Sequence, residues 1–196
     1  MIPTPDRSRI AALLDFWFGA GTPEWNEPRK VWWEKDPAFD EELLQRFLAD
    51  HVRAAAGALS SWQEEPESCL ALVLLLDQLP RNLFRGSPQA FATDPLAREV
   101  ARHALKQGFD QQTIPVRRSF FYLPFEHSED LGDQHRCVEL FQAMAKTPED
   151  KETARFAEQH RDIIARFGRF PHRNATLGRE TTAEEAEFLK GPNSSF

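Results

Sequence analysis

Three short polar segments, each beginning directly after a proline, contain the residues best suited to chemistry. They read Pro80-Arg81-Asn82, Pro124-Phe125-Glu126-His127 and Pro171-His172-Arg173-Asn174. An arginine presents a fixed pair of donors that matches a carboxylate or a phosphate. Histidine titrates near neutral pH, so beside a glutamate it can exchange protons with a bound ligand. The residue types therefore predict a pocket for a small anionic ligand.

The candidates divide into two roles. For acid–base catalysis the sequence offers Glu126, His127 and His172. For ligand binding it offers the cations and amides beside the prolines together with one carboxylate, namely Asp77, Arg81, Asn82, Arg173 and Asn174. Asp77 lies within an otherwise apolar stretch, where a buried carboxylate normally needs a cationic partner. We expect that partner to be Arg81 or Arg173.

Two other interpretations of the same residues stay open. Polar side chains at helix ends often only satisfy the last carbonyls and the next amides of adjoining helices. In that case Asp77, Arg81 and Arg173 form an internal ion-pair network. Alternatively, the chain is a helical module that binds a partner protein, which predicts an exposed apolar or aromatic patch. Binding of a small anionic ligand, with or without catalysis, is the leading hypothesis, and the interaction module with a purely structural polar cluster is its rival.

The sequence lacks the motifs of common metal and cofactor sites. Glu126, His127 and His172 are suitable ligand types for a metal, but they do not form an HExxH or paired ExxH spacing. There is also no GxGxxG, P-loop or GxSxG motif. We therefore expect no metal and no cofactor.

Proline positions and apolar spacing predict helices throughout the chain. Six prolines stand at the start of a helical pattern: Pro37, Pro66, Pro88, Pro95, Pro115 and Pro148. Proline suits the first helical position, and Asp36, Ser87, Asp94 and Thr147 can cap the amides that follow. Apolar residues recur at a spacing close to 3.6, and no alternating β-branched run occurs. The predicted fold class is all-α, an antiparallel helical array or bundle, with the apolar stretch 69–79 as its central helix.

The direction of the helices predicts where the polar segments lie. Proline should end the helices before Pro80, Pro124 and Pro171. If neighbouring helices are antiparallel, all three ends lie at the same end of the bundle. The N-termini of the helices that start at Pro95 and Glu129 lie there too, and their positive field favours anions. The predicted site depends on this shared end.

Length and charge limit the classes of protein. The 196 residues suit one domain, 1–196. The net charge of −7 argues against general nucleic-acid binding. The apolar run 70–76 is shorter than the ~20 residues that span a bilayer, and the N-terminus lacks a signal-peptide pattern. We expect a cytoplasmic protein without a nucleic-acid or membrane partner, whose Cys69 and Cys137 are buried free thiols.

His160 and the tryptophans are expected to pack. His160 falls on the apolar stripe between Phe156 and Ile164, where a satisfied core histidine is more common than a ligand. All five tryptophans lie in the first third of the chain, and we expect them to pack the irregular segment 19–36 against the helices.

The polar segments also carry a family resemblance. Their longer forms LLDQLPRN (75–82), YLPFEHSE (122–129) and RFPHRN (169–174), extended by FRG (84–86) and FATD (91–94), resemble the bacterial domain of unknown function 924 family from about Ile10 onward. Leu79 departs from the aromatic residue expected there, which should alter packing only. The resemblance implies a fold similar to tetratricopeptide-type (TPR) helical arrays. It implies no activity, so it assigns no catalytic residues.

Overall fold

The helices of the chain follow the predicted pattern. The computed structural model describes residues 2–192 and residue 194. Its helices are α1 (Thr4–Phe18), α2 (Pro37–Ala55), α3 (Pro66–Val73), α4 (Leu79–Leu83), α5 (Asp94–Gln107), α6 (Pro115–Glu126), α7 (Leu131–Met144), α8 (Pro148–Phe167) and α9 (Ala183–Phe188). No strand occurs in the described residues. The all-α prediction is confirmed.

Several helix starts are capped by the residues that the sequence indicates. Asp36 accepts the amides of Ala38 and Phe39, and Thr147 forms a capping box with Asp150. These contacts satisfy amides that have no partner within the helix. Asp94 differs from the prediction, because it is the first residue of α5 and its carboxylate pairs with Arg81 instead of capping.

The chain divides into two compact units. The first contains the residues up to Arg85 together with Gln89–Pro124, and the second contains Gly86–Pro88 together with the chain from Phe125 onward. The predicted single domain 1–196 stays a prediction. So does the shared end of the three polar segments, since Pro80 belongs to the first unit and Pro171 to the second.

The first unit is built around a buried helix, as predicted. Every residue from Ser68 to Pro80 is buried, including the thiol of Cys69. Trp17, Trp32 and Trp62 are buried in this unit, whereas Trp25 and Trp33 are 54% and 62% exposed. Trp33 nevertheless stacks on the Phe120 ring, with the ring centres 6.3 Å apart, so the expectation that all five tryptophans pack was wrong for Trp25 only.

The central helix does not end at Pro80. After α3 the chain makes a wider π turn over Leu74–Gln78 and continues as α4 to Leu83. Likewise, Pro124 lies inside α6, which runs on to Glu126. The prediction that proline ends these two helices was wrong, because each helix continues past the missing N–H.

In the second unit α7 packs against α8. Ile163, Ile164 and Phe170 form a buried cluster, with Phe167 and Phe188 packed against it. Cys137 is a buried free thiol, as predicted. The short helix α9 starts with a capping box in which Thr182 and Glu185 each accept the other's backbone amide.

Candidate functional site

Three consecutive backbone carbonyls at the π turn accept hydrogen bonds from side chains of the first unit. Pro80 has no N–H to offer the preceding turn. The Nδ1 atom of His51 lies 2.8 Å from the Leu75 oxygen. The hydroxyl of Thr93 donates to the Leu76 oxygen at 2.6 Å, and Arg81 Nη1 donates to the Asp77 oxygen, also at 2.6 Å. At the Leu76 carbonyl the Thr93 hydroxyl replaces the backbone donor that residue 80 would supply in a regular helix.

Arg81 joins two buried carboxylates. It donates to both oxygens of Asp94, at 2.8 and 3.0 Å, and lies 3.4 Å from Asp77. Burial alone would lower the pKa of Arg81, but the two carboxylates outweigh it and raise the pKa. The prediction that Asp77 pairs with Arg81 or Arg173 is confirmed for Arg81.

Asn82 belongs to a second polar contact of the same unit. Its amide donates to Asp40 at 2.7 Å, and Arg85 Nε donates to the other oxygen of Asp40 at 3.1 Å. Asp77, Arg81 and Asn82 therefore engage groups of their own unit. These are the contacts expected of a structural network, and a ligand-binding role for these three residues stays a prediction.

The other two polar segments meet in the second unit. Arg173 is buried, and its Nη1 donates to the His127 carbonyl at 3.0 Å. Its guanidinium lies 4.5 Å from the centre of the Phe170 ring, a cation–π distance. On the other side of the turn, the Gln134 amide donates to the carbonyls of Glu126 and Ser128, both at 2.6 Å. These contacts fix the backbone on which Glu126 and His127 stand.

The carboxylate of Glu126 is buried beside a histidine and a thiol. His160 Nε2 lies 3.8 Å from Oε1, and Cys137 Sγ lies 4.0 Å from Oε2. The other ring nitrogen of His160, Nδ1, donates to the Phe156 carbonyl at 2.8 Å. His160 is therefore a satisfied core histidine, as predicted, whose second nitrogen points toward a carboxylate. Burial, with a contribution from Glu126, raises the pKa of Cys137 well above its usual value.

Two histidines of this region resist protonation. Burial, the largest cause, lowers the pKa of His160 to about 3, and His127, Arg173 and His172 add to the effect. Burial and then Arg173 lower the pKa of His172 to about 4. The histidine cluster comprises Glu126, His127, His160, His172 and Arg173. Because these pKa values lie well below 7, the imidazoles of His160 and His172 are neutral at pH 7. Each therefore has one donor and one acceptor nitrogen.

Two arginine–carboxylate pairs accompany the cluster in the second unit. Arg179 donates to both oxygens of Glu129, at 2.7 and 3.0 Å, and the Phe170 amide also donates to Glu129. Burial alone would raise the pKa of Glu129, but Arg179 and that amide outweigh it and lower the pKa.

The second pair involves the predicted ligand-binding residue Asn174. Arg169 donates to both oxygens of Glu185, and the Asn174 amide donates to one of them at 3.2 Å. Arg169 first, and then the Thr182 amide, lower the pKa of Glu185 to about 2. The pairings of Glu129 with Arg179 and of Glu185 with Arg169 were not predicted from the sequence. Only the Thr182–Glu185 spacing, typical of a capping box, could have indicated one of them.

The described part of the chain contains no group of three or more His, Cys, Asp or Glu side chains arranged to hold a metal ion. None of its helices is long and apolar enough to cross a membrane.

The helices and the histidine cluster define an all-α protein with a buried Arg–His–Glu centre in its second unit. The chain belongs to the family described as bacterial proteins of unknown function (DUF924), whose model matches residues 13–193. It is also similar to a protein of unknown function from Agrobacterium tumefaciens. The two share 47% identity with a TM-score of 0.85, over 94% of this chain and 99% of the other. No curated protein matches the chain. The predicted family is confirmed, and the likeness to TPR arrays stays a prediction.

Proposed function

We propose that the histidine cluster binds a small carboxylate or phosphate beside Arg173 and His172. The observation that supports the proposal is the position of the buried Arg173 guanidinium, which donates to the His127 carbonyl at 3.0 Å. After burial, which is the largest cause, Arg173 also contributes to lowering the pKa of His172 to about 4. A positive potential that resists protonation of an imidazole also favours a negative charge at the same place. An incoming anion would receive hydrogen bonds from neutral imidazole and charged guanidinium groups, which suit carboxylate and phosphate oxygens.

Glu126, His127 and His172 are the groups that would exchange protons with a bound ligand. Glu126 is buried and faces the Nε2 atom of His160 at 3.8 Å, so a proton taken up there stays out of water. His172 is neutral at pH 7 and can either donate or accept. In this form the proposal leaves out Asp77, Arg81 and Asn82, because Arg81 and Asn82 bind carboxylates of the first unit and Asp77 is paired with Arg81. It also leaves out Asn174, which binds Glu185.

An NMR titration of the histidine ring signals tests the proposal. Inorganic phosphate, or a carboxylate such as succinate, at millimolar concentration is expected to raise the pKa of His172 by about one unit or more, because an anion stabilises the imidazolium. The same anion should raise the melting temperature by more than about one degree, since it binds only the folded state. Absence of both effects contradicts the proposal.

Two variants separate binding at the cluster from general salt effects. His172→Gln keeps a neutral donor and acceptor and should weaken the thermal shift several-fold while leaving the fold intact. His103→Gln, in the first unit, is the matched control and should leave the shift unchanged. An equal loss in both variants would mean that the anion acts elsewhere.

The interaction-module hypothesis has one observation in its favour, the exposure of Trp25 and Trp33. This hypothesis predicts that the unaltered chain binds a protein partner and that Trp33→Ala loses it. It also predicts that phosphate and succinate do not raise the melting temperature of the unaltered chain. The opposite pattern favours the anion site.

A further inference from the structure

A groove on the first unit, separate from the histidine cluster, combines an aromatic surface with a pair of opposite charges. It has a cavity volume of about 570 Å³ and is lined by Trp25, Asn26, Glu67, Gln111, Ile114 and Arg117, among others. The groove is largely open to solvent, so a ligand would lie against its surface and be only partly enclosed. Most of the tryptophans and isoleucines of the chain are buried, but Trp25 is 54% and Ile114 43% exposed. The groove therefore offers apolar surface to a ligand.

Contacts with Asn26 and Phe18 hold Arg117 in place inside the groove, and Glu67 lies at the outer limit of ion-pair distance. Its Nε donates to the side-chain oxygen of Asn26 at 2.8 Å, and its guanidinium lies 4.7 Å from the centre of the Phe18 ring. The nearest carboxylate oxygen, of Glu67, is 3.9 Å from Nη1, beyond hydrogen-bond distance. Burial lowers the pKa of Arg117 in spite of Glu67 and Asp15, which is what incomplete charge compensation produces.

The backbone around Arg117 increases its preference for an anion. Asn26 has a positive φ of 61°, a left-handed conformation that asparagine tolerates, and its side-chain oxygen anchors Arg117. Arg117 also lies in the first turn of α6, where the helix field is positive and acidic residues are absent. A carboxylate placed at Arg117 would meet a pre-positioned guanidinium, so little side-chain ordering is required when it binds.

Glu67 selects among carboxylate ligands. Its side chain is 77% exposed, so it can move to meet a ligand, but its negative charge opposes a simple anion at Arg117. A ligand that carries an ammonium group next to its carboxylate meets both charges, with each ligand group opposite one protein group. In a peptide without acidic or basic side chains the terminal ammonium and carboxylate stand on different residues. A free amino acid carries both on one residue.

We propose that this groove binds a free α-amino acid with an aromatic or large apolar side chain. The carboxylate binds Arg117, the ammonium binds Glu67, and the side chain packs on Trp25 and Ile114. Each of the three contacts involves a different group of the ligand. A ligand analogue that lacks one group therefore tests one contact at a time.

The experiment follows the indole N–H signals of the intact chain by NMR during titration with L-phenylalanine. The Trp25 signal is expected to shift in a saturable manner, while the signal of Trp33, which is also exposed, stays in place. N-acetyl-phenylalanine lacks the ammonium, phenylalaninamide lacks the carboxylate, and glycine lacks the ring. Each is expected to bind at least about tenfold more weakly, the loss of about one well-placed contact.

Single substitutions provide the matching test on the protein. Glu67→Gln should abolish the preference for L-phenylalanine over its N-acetyl derivative, and Trp25→Ala should weaken L-phenylalanine at least about tenfold. Glu99→Gln, another exposed glutamate, is the control and should leave binding unchanged. The proposal is overturned if L-phenylalanine does not shift the Trp25 signal, if the N-acetyl derivative binds equally well, or if Glu67→Gln and Glu99→Gln behave alike.

Discussion

The hydroxyl of Thr93 donates a hydrogen bond of 2.6 Å to the carbonyl of Leu76, four residues before Pro80. In a regular helix this carbonyl would accept the N–H of residue 80, which proline lacks. A residue at the start of α5 thus supplies the donor that the central helix is missing. Together with His51 at the Leu75 carbonyl, it explains how this helix continues through a proline.

Thr93→Val tests this relationship, because valine keeps the shape of threonine and removes the donor. The buried Leu76 carbonyl would lose this donor, so the free energy of unfolding should fall by about 1–3 kcal/mol in urea denaturation. In a Pro80→Ala background, the alanine N–H restores a backbone donor at the same turn. The cost of Thr93→Val should then be clearly smaller. Equal costs in both backgrounds would show that the hydroxyl does not compensate for the proline.

Arg81 is expected to matter more for stability than either of its partners. The group contains one cation and the two carboxylates of Asp77 and Asp94, so Arg81→Met leaves two buried negative charges without their shared partner. Loss of one member of a buried ion pair costs about 3–5 kcal/mol, and we expect a decrease of that size. Asp77→Asn leaves a balanced Arg81–Asp94 pair and should cost less.

A matched control for Arg81→Met is Arg136→Met, which removes an arginine from the exposed pair with Glu139. An exposed pair contributes about 0–1 kcal/mol, so this variant should unfold almost like the unaltered chain. If Asp77→Asn lowers the free energy of unfolding as much as Arg81→Met, charge balance does not determine the stability of this group. The hydrogen bond that Gln78 donates to Asp77 would then account for the contribution of Asp77.

Local sequence signals predicted much of the fold. The apolar stretch 69–79 predicted a buried central helix, and the predicted caps at Asp36 and Thr147 are confirmed. These features depend on residues a few positions apart, which a sequence displays directly. Asp77–Arg81 was accessible for the same reason, since the two residues are four positions apart on a helix.

The continuation of helices past proline could not be predicted in the same way. A missing N–H is visible in the sequence at Pro80, but the donors that replace it come from positions 51 and 93. The candidate site shows the same limit. Arg179 reaches Glu129 across fifty positions, and no local spacing indicates that pair. Conversely, tryptophan is a residue type that usually packs in the core, and only the folded chain shows that Trp25 and Trp33 are exposed.

Thr182 is expected to control the start of α9. This helix has six residues, and its capping box consists of the Glu185 amide donating to Thr182 Oγ1 at 3.2 Å and the Thr182 amide donating to Glu185 at 2.8 Å. Thr182→Ala should lower the free energy of unfolding by about 0.5–2 kcal/mol. Hydrogen exchange of the Glu185 amide should accelerate in Thr182→Ala and stay slow in Thr182→Ser, which keeps the hydroxyl. Acceleration in both variants would mean that the methyl group, and not the cap, holds the helix.

His160 is expected to make the stability of the chain depend on pH. Its pKa is about 3 in the folded chain and about 6.5 when unfolded, because burial and the neighbouring His127, Arg173 and His172 oppose its protonation. Below pH 6.5 the unfolded chain therefore binds a proton that the folded chain does not. The contribution of the neutral His160 imidazole to the free energy of unfolding is fully present above pH 6.5. As the pH falls toward 4, the free energy of unfolding should decrease by about 1.4 kcal/mol per pH unit.

His160→Asn isolates this contribution, because asparagine can still donate to the Phe156 carbonyl but does not titrate. Urea denaturation at pH 7, 6, 5 and 4 should give a slope for this variant that is shallower by about 1.4 kcal/mol per unit. The absolute stability at pH 7 can fall because the smaller side chain packs less well, so the slope and not the midpoint is the measurement. The control variant is His135→Asn, which removes an exposed imidazole instead of a buried one. Identical slopes for His160→Asn and the unaltered chain would show that the buried carboxylate of Glu126 takes up the proton together with His160, so that the imidazole is not held neutral.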